Sequence, residues 1–393
     1  MNPGREMQIA QEPTDRGMVV PSPLAWQPIP ARRRSVWNWL VAAMLVFVAA
    51  FIVLHLITVP YVAYVPGEAL PVNGPHGAVT VATRHDGSGN LYLVTIAEQG
   101  RVTEWDRLTA RWLHKDWAII PTKAVTGGLS SAQYNQQNAQ MMADSQEYAK
   151  VAALRRLGYP VPERGDGAMV VDVNAGAPAA GKFLAGDLIT AVDGKNVLVS
   201  SDVGDDIRAH PSGTPVQFTV KRTAGSSSHS VQLAASPVAC GASCPGDAQR
   251  PVIGIAVVTD NQSFEYPKNV SLTISTQGIG GPSAGLAFTL GALDALTTKR
   301  LTGGAQVAAT GTIDPSGAVG EVGGVVQKTI TVERRGARYF IVPRAEAADA
   351  EKVAKGHHLT IVPVDTLDQA LTFLRSIGGD LSGIPAAPAT AAA

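Results

Sequence analysis

Ser283 stands in the run Gly278-Ile279-Gly280-Gly281-Pro282-Ser283-Ala284-Gly285-Leu286, ahead of Leu286, Leu290 and Leu293 at helical spacing. The pattern predicts a Gly-rich turn entering a helix, with the serine at the junction. Such a turn exposes the hydroxyl and surrounds it with backbone N–H groups. It also sits at the positive end of a helix dipole, where an oxyanion is stabilised. Two other uses of the turn stay open. Gly-rich turns before helices also cradle phosphates. A nucleotide loop, however, needs Lys and then Ser or Thr directly after its last glycine, and Gly285 is followed by Leu286 and Ala287. A serine here can also cap the helix and do nothing more.

A serine becomes a nucleophile only beside a base. The segment that can supply one opens with Ala309-Thr310-Gly311-Thr312-Ile313-Asp314-Pro315 and closes with Gly323-Gly324-Val325-Val326-Gln327-Lys328. Lys328 is expected to open a helix that ends near Gly336. The dipole disfavours a cation there and so lowers its pKa. A desolvated lysine can take a serine proton. Bringing the amine down by about 3 units from ~10.4 costs about 4 kcal/mol, within the reach of burial and dipole together. His357 and His358 offer a histidine base instead, although adjacent histidines after Gly356 read as a solvated loop. Cys240 and Cys244, in CGASCPG, read as a short-loop disulfide or as two free thiols. Their spacing is one residue longer than a redox C-x-x-C, and no histidine beside them suggests a metal.

Composition narrows the rest. The chain has 393 residues, enough for two or three domains. Its 32 basic and 32 acidic residues balance, which argues against nucleic-acid binding. Hydrophobic residues make up 45%, so the chain can bury a core. Two cysteines exclude a disulfide-rich scaffold and a four-cysteine zinc site. No metal or organic cofactor is implied.

Trp39–Val59 is 21 residues long without Asp, Glu, Lys or Arg. That suits a bilayer core about 30 Å thick. Trp37, Trp39 and Tyr61 mark its edges, and Arg32, Arg33 and Arg34 precede it, while the next basic residue is Arg84. The asymmetry predicts a single-pass anchor in a cell membrane, with a cytoplasmic N-terminus and the rest outside. A cleaved signal peptide would have a shorter apolar run and a small-x-small site. Further on, Tyr92, Val94 and Ile96 hint at a strand and Ala139–Leu157 at a helix, stopped by Gly158 and Pro160. Met141, Met142, Tyr148 and Leu154 read as packing residues of that helix. Gly167–Val197 alternates short β-type runs with turns, among them the hairpin signal Asp193-Gly194. Ser200–Ala209 reads as a short helix and Val216–Val220 as a closing strand. Val252, Ile255 and Val257 suggest one strand, and Val270, Leu272 and Ile274 another, of a final α/β domain.

The words NAGAPAAG at 174–181 and GDLITAVDGKNV at 186–197 resemble a bacterial PDZ domain. That implies recognition of an extended peptide at a sheet edge. The run PSAG, with TG and GG-x-x-x-K after it, resembles the proteolytic domain of Lon-type serine proteases. The resemblance implies Ser283 as nucleophile, Lys328 as general base 45 residues later, and Thr310 as its support. Gly281 and Ser283 would offer N–H groups to the oxyanion, since Pro282 has none. The family often carries Asp two residues before the proline, where this chain has Gly280. No ATPase segment precedes the protease part, so ATP-independent cleavage is expected.

The full order resembles bacterial membrane-anchored PDZ/Lon-like proteases, and DSQEYAKVAALRRLGY at 144–159 resembles their pre-PDZ helix. The expected fold class is α+β multidomain: a transmembrane helix, a β-rich PDZ domain and an α/β Lon-like domain. The expected boundaries are a disordered cytoplasmic tail at 1–36, the membrane helix at 37–60 and a membrane-proximal region at 61–162. They continue with the PDZ domain at 163–236, a linker at 237–250, the Lon-like domain at 251–378 and a disordered tail at 379–393. The expected function is serine endopeptidase activity by a Ser-Lys dyad on extracytoplasmic or membrane-associated proteins; the alternative is an inactive membrane-bound PDZ scaffold or regulator. Expected partners are protein or peptide substrates, the membrane and, by resemblance, further copies of the chain, with neither nucleotide nor nucleic acid. Other PDZ proteases fit less well: no GNSGG or GDSGG turn and no H-E-x-x-H occurs.

Overall fold

The apolar run near the N-terminus becomes one helix. In the computed structural model Val36–Leu56 is α-helical over 21 residues, none of them buried. Its mean hydropathy reaches 2.6, and by length and composition it can cross a membrane. It is apolar on every side, so it offers no polar face to water. The structure describes residues 36–74, 77–81, 90–224, 227–240, 249–276, 278–297 and 300–386. The expected tails at 1–35 and 387–393, and Cys244 of the cysteine pair, lie outside the described residues. The helix stops three residues earlier than the apolar run does. Ile57, Thr58 and Val59 leave it, Thr58 bridging Thr103 and the Val59 N–H donating to the Val102 carbonyl at 2.9 Å.

The chain from Ile57 onward forms a second compact unit. Its main sheet runs in the order Thr360–Val364, Tyr339–Pro343, Val307–Ala309, Leu91–Gln99, Tyr61–Pro71, Ala118–Pro121. The first four strands are mutually parallel, and the last two pair antiparallel. Side chains alternate between the two faces, as strand geometry requires. Leu91 and Leu93 face the helices Ser131–Arg156 and Gly285–Leu296, whereas Tyr92, Val94, Phe340 and Val342 pack with the helix Val325–Arg335. The helix after Ser283 and the helix carrying Lys328 therefore cover opposite faces. The Gly285–Leu296 helix is buried on all sides, not only along the predicted leucine stripe.

Residues 61–121 thus supply half of this sheet, where the sequence showed only a mixed membrane-proximal stretch. The long helix Ser131–Arg156 begins well before the predicted Ala139, capped by the Ser130 hydroxyl and Gln133. Its Ala149, Ala152 and Ala153 are buried in the core, small enough for close approach to the Gly285–Leu296 helix. The tail expected to be disordered from 379 is tied down through residue 386. Leu381 and Ile384 are buried, and Arg156 donates to the Pro385 carbonyl at 2.6 Å.

The PDZ-like part is an insertion between the long helix and Leu272–Ile274. Its sheet runs Ser227–Ala235, Val216–Ala224, Leu188–Val192, Ala168–Val173, Ile255–Thr259, beside the helix Ser200–Arg208. Phe183 and Phe218 meet edge-on at 5.3 Å in its core, and Arg222 holds the buried Asp187 carboxylate with two hydrogen bonds at 2.6 and 2.7 Å. The strand Ile255–Thr259 was assigned from sequence to the Lon-like domain. It instead pairs antiparallel with Ala168–Val173 in this sheet. Its apolar pattern suits either sheet, and only the pairing decides.

Because the main sheet draws on both sides of the insertion, a fragment of residues 251–386 lacks its central partner strands. It is expected to show no cooperative thermal unfolding by circular dichroism, whereas residues 57–386 should show a clear transition.

Candidate active site

Val307–Ala309 is a short central strand, and the chain leaves it at Thr310. Here, at the carboxyl end of a parallel strand, the two helix-bearing segments from opposite faces come together; such ends are where open α/β sheets place their sites. Thr310 is fully buried, and its N–H donates to the Ile341 carbonyl at 3.0 Å. Its hydroxyl donates to the Ser283 carbonyl at 3.1 Å, and the Gly311 N–H donates to the same carbonyl at 2.9 Å. The Leu286 N–H returns a bond to the Gly311 carbonyl at 3.0 Å. The two sequence motifs are thereby joined by hydrogen bonds.

Lys328 enters from the other face, in the first turn of Val325–Arg335, with 1% of its surface exposed. Its Nζ donates to Thr310 Oγ1 at 3.2 Å. Burial pushes the amine down to about 8, opposed by the Glu346 carboxylate. Burial is the main physical cause. Glu346 is itself pushed up by burial and accepts from the Val322 N–H at 3.1 Å. Sequence reasoning did not find Glu346, which is separated from Lys328 along the chain and carries no motif.

Ser283 is half-buried at the entry to the Gly285–Leu296 helix. Ser283 and Lys328 line one cleft of about 1060 Å³. Among the described residues the Ser283 hydroxyl makes no hydrogen bond to Lys328. The loop is held from outside by the long helix. Ser145 Oγ donates to the Pro282 carbonyl at 3.0 Å, and the Gly281 N–H donates to the Asn138 carbonyl at 3.0 Å. That second bond corrects one expectation: the Gly281 N–H is already engaged, so it is not free for an oxyanion. Gly285 is glycine for a packing reason, since a Cβ there would stand 2.9 Å from Ile313 Cγ2 and from Ser145 Oγ.

The outer part of the cleft is walled by Tyr61–Pro71, Leu91–Gln99 and the start of the long helix. Tyr134 donates to Glu98 at 3.0 Å. The Tyr64 hydroxyl is pushed above the phenol range by burial, with Glu98 adding to the effect. None of these was singled out from sequence, because each lies far along the chain from the serine. His357 is elsewhere, paired with Glu333 at 2.6 Å on the surface. Among the described residues no group of three or more His, Cys, Asp or Glu is placed to hold a metal.

Comparison with known proteins assigns both parts. Residues 155–233 match the family model described as PDZ domain, and residues 270–375 match the Lon protease (S16) C-terminal proteolytic domain. The chain carries a PDZ domain and a Lon-type proteolytic domain. The Lon protease of Chloroflexus aurantiacus is 37% identical over 94 residues, covering 23% of this chain and 11% of that protein. The Lon protease of Neorickettsia sennetsu is 33% identical over 95 residues, covering 24% and 11%. Lon protease 1 of Myxococcus xanthus is 32% identical over 155 residues, covering 34% and 18%. The chain therefore spans less than a fifth of the length of these relatives. The PDZ domain of the SdrC-like protein from Listeria innocua is 30% identical, covering 23% of this chain and 93% of that one, with a TM-score of 0.20. The matched Lon-type segment contains Ser283, Thr310 and Lys328; the strands and long helix from 61–156 that complete its sheet and cleft lie outside it.

The depressed amine has a stability consequence. Below pH 8 the folded state carries a buried ammonium at a cost, and above 10.5 neither state is charged. Stability should therefore rise between pH 8 and 10.5, by up to about 3 kcal/mol. Chemical denaturation of wild type and Lys328→Met across that range should show the rise only in wild type.

Proposed function

We propose that this chain is a membrane-anchored serine endopeptidase that works without ATP through a Ser283–Lys328 dyad, with the PDZ domain selecting substrates. The observation that carries the reading is the buried, pKa-lowered amine held by Thr310 in the cleft that contains Ser283. Thr310 takes one N–H of Lys328, which leaves the lone pair of the neutral amine for the serine proton.

In this mechanism a peptide carbonyl enters beside Ser283. Lys328 takes the hydroxyl proton as Ser283 Oγ bonds to the carbonyl carbon, and the oxygen becomes an oxyanion held by the Ser283 N–H. Lys328 then gives its proton to the leaving amine as the C–N bond breaks. Water, deprotonated by the same amine, releases the acyl group and restores the serine. The Val36–Leu56 helix spans the membrane, with the arginines at 32–34 on the cytoplasmic side. A substrate segment docks along Ile255–Thr259, an edge strand beside the Ser200–Arg208 helix. Gly254, at φ +76° just before that strand, allows the tight turn there; a Cβ would stand 2.2 Å from Ala177 Cβ.

The full chain in detergent is expected to cleave unfolded casein without ATP. Ser283→Ala and Lys328→Met should abolish cleavage with circular dichroism unchanged. In the wild type kcat/KM should rise with pH through an apparent pKa near 8. Thr310→Val should lower the rate by about 10²–10⁴-fold if it holds the base in place. Cleavage that survives Ser283→Ala would sink the dyad.

A further inference from the structure

We infer that the helix Glu104–Leu113 lies on the lipid bilayer surface, with Leu108 and Trp112 set among the headgroups. This rests on the reading of Val36–Leu56 as a membrane span. The helix is firmly built: Thr103 and Asp106 form a capping box, and Ala110 is its buried residue. The opposite face is apolar and turned to solvent. Leu108 and Trp112 lie on one stripe at helical spacing, with the half-buried Trp105 at its start. Leu108 is 47% exposed, Trp112 70% and the adjoining Leu113 60%. Scattered exposed apolar residues are ordinary, but a continuous stripe opposite a buried face marks a surface with an occupant.

The occupant follows from where the chain holds this helix. Ile57 is the first residue after the membrane-length helix. The Glu104 N–H donates to the Ile57 carbonyl at 2.9 Å, Thr58 bridges Thr103, and the Val59 N–H donates to Val102 at 2.9 Å. Three consecutive residues leaving the span are therefore clamped to the start of this helix. If Leu56 ends a span, Ile57 stands at headgroup level, and so does the first turn of Glu104–Leu113. Its ten residues reach at most about 15 Å from that point, and the apolar stripe is what lays them along the surface. Tryptophan suits that depth, with an apolar ring and one N–H for the wet side. Arg111, exposed at the flank of the stripe, can meet lipid phosphate.

The test uses the full chain in phosphatidylcholine–phosphatidylglycerol vesicles, with Cys240→Ser and Cys244→Ser. A nitroxide is placed singly through Leu108→Cys, Trp112→Cys, Val46→Cys or Lys352→Cys. Collision rates with oxygen, which partitions into lipid, and with an aqueous nickel chelate are then compared. The expected result is an oxygen-to-nickel ratio at 108 and 112 severalfold above that at 352 and below that at 46. Ratios at 108 and 112 equal to that at 352, with 46 deep in lipid, would overturn the inference and leave the anchor standing. Strong nitroxide–nitroxide broadening at 112 with aqueous collision rates would assign the stripe to a second copy and also overturn it. An aqueous ratio at 46 would bring down the span and this inference with it. As a check that keeps both cysteines, quenching of tryptophan fluorescence by acyl-brominated lipid should fall in Trp112→Tyr relative to wild type; equal quenching counts against the inference.

Discussion

A lysine amine buried to 1% exposure with a threonine hydroxyl as its hydrogen-bond partner is the constraint on which the site depends. An ammonium there is expensive to bury, and the neutral amine is the form the fold favours. Keeping water away from it takes a complete core around the carboxyl end of Val307–Ala309. That core is assembled from segments far apart in the chain. Ile96 and the Tyr61–Pro71 strand line the cleft that Lys328 enters, that strand packs against the Val325–Arg335 helix, and the Glu346 carboxylate acts on the amine. Glu346 tempers the effect, pulling the amine upward against desolvation.

The long helix Ser131–Arg156 is the element that connects the parts. In its first half the Asn138 carbonyl, and at its middle the Ser145 hydroxyl, hold the loop before Ser283. Farther along, Tyr148 donates to Gln262, and Gln262 donates to Glu163. Glu163 accepts from Thr259, the last residue of the PDZ edge strand, which also accepts from the Ser200 N–H. One rigid helix thus touches the loop of the proposed nucleophile and, through a short polar chain, the PDZ edge. The insertion of the PDZ domain right after this helix accounts for that arrangement, since both of its ends must return to the same core.

Local chemistry made part of this legible in the residue order. The glycines around Ser283, the lysine after Gly323-Gly324, the uniformly apolar run near the N-terminus and the Asp193-Gly194 turn all act over a few residues. Their meaning survives without knowledge of the fold. Asp193 and Gly194 do adopt positive φ, at 45° and 78°. The apolar run does become one helix, ending at Leu56 once Ile57–Val59 find partners at Val102–Glu104.

What the residue order determined, then, was the inventory: a membrane-length helix, a PDZ-like module, a Ser-bearing turn and a Lys-bearing helix. What only the tertiary structure decided was which pieces share a sheet and which groups share a cleft. Ile255–Thr259 joined the PDZ sheet, residues 61–121 joined the Lon-type sheet, and the Gly281 N–H went to Asn138. The physical reason is that strand pairing and burial are contacts between distant residues. An apolar alternating strand satisfies either sheet equally by its own pattern, and a lysine is depressed by the water that the whole fold removes rather than by any neighbour in sequence.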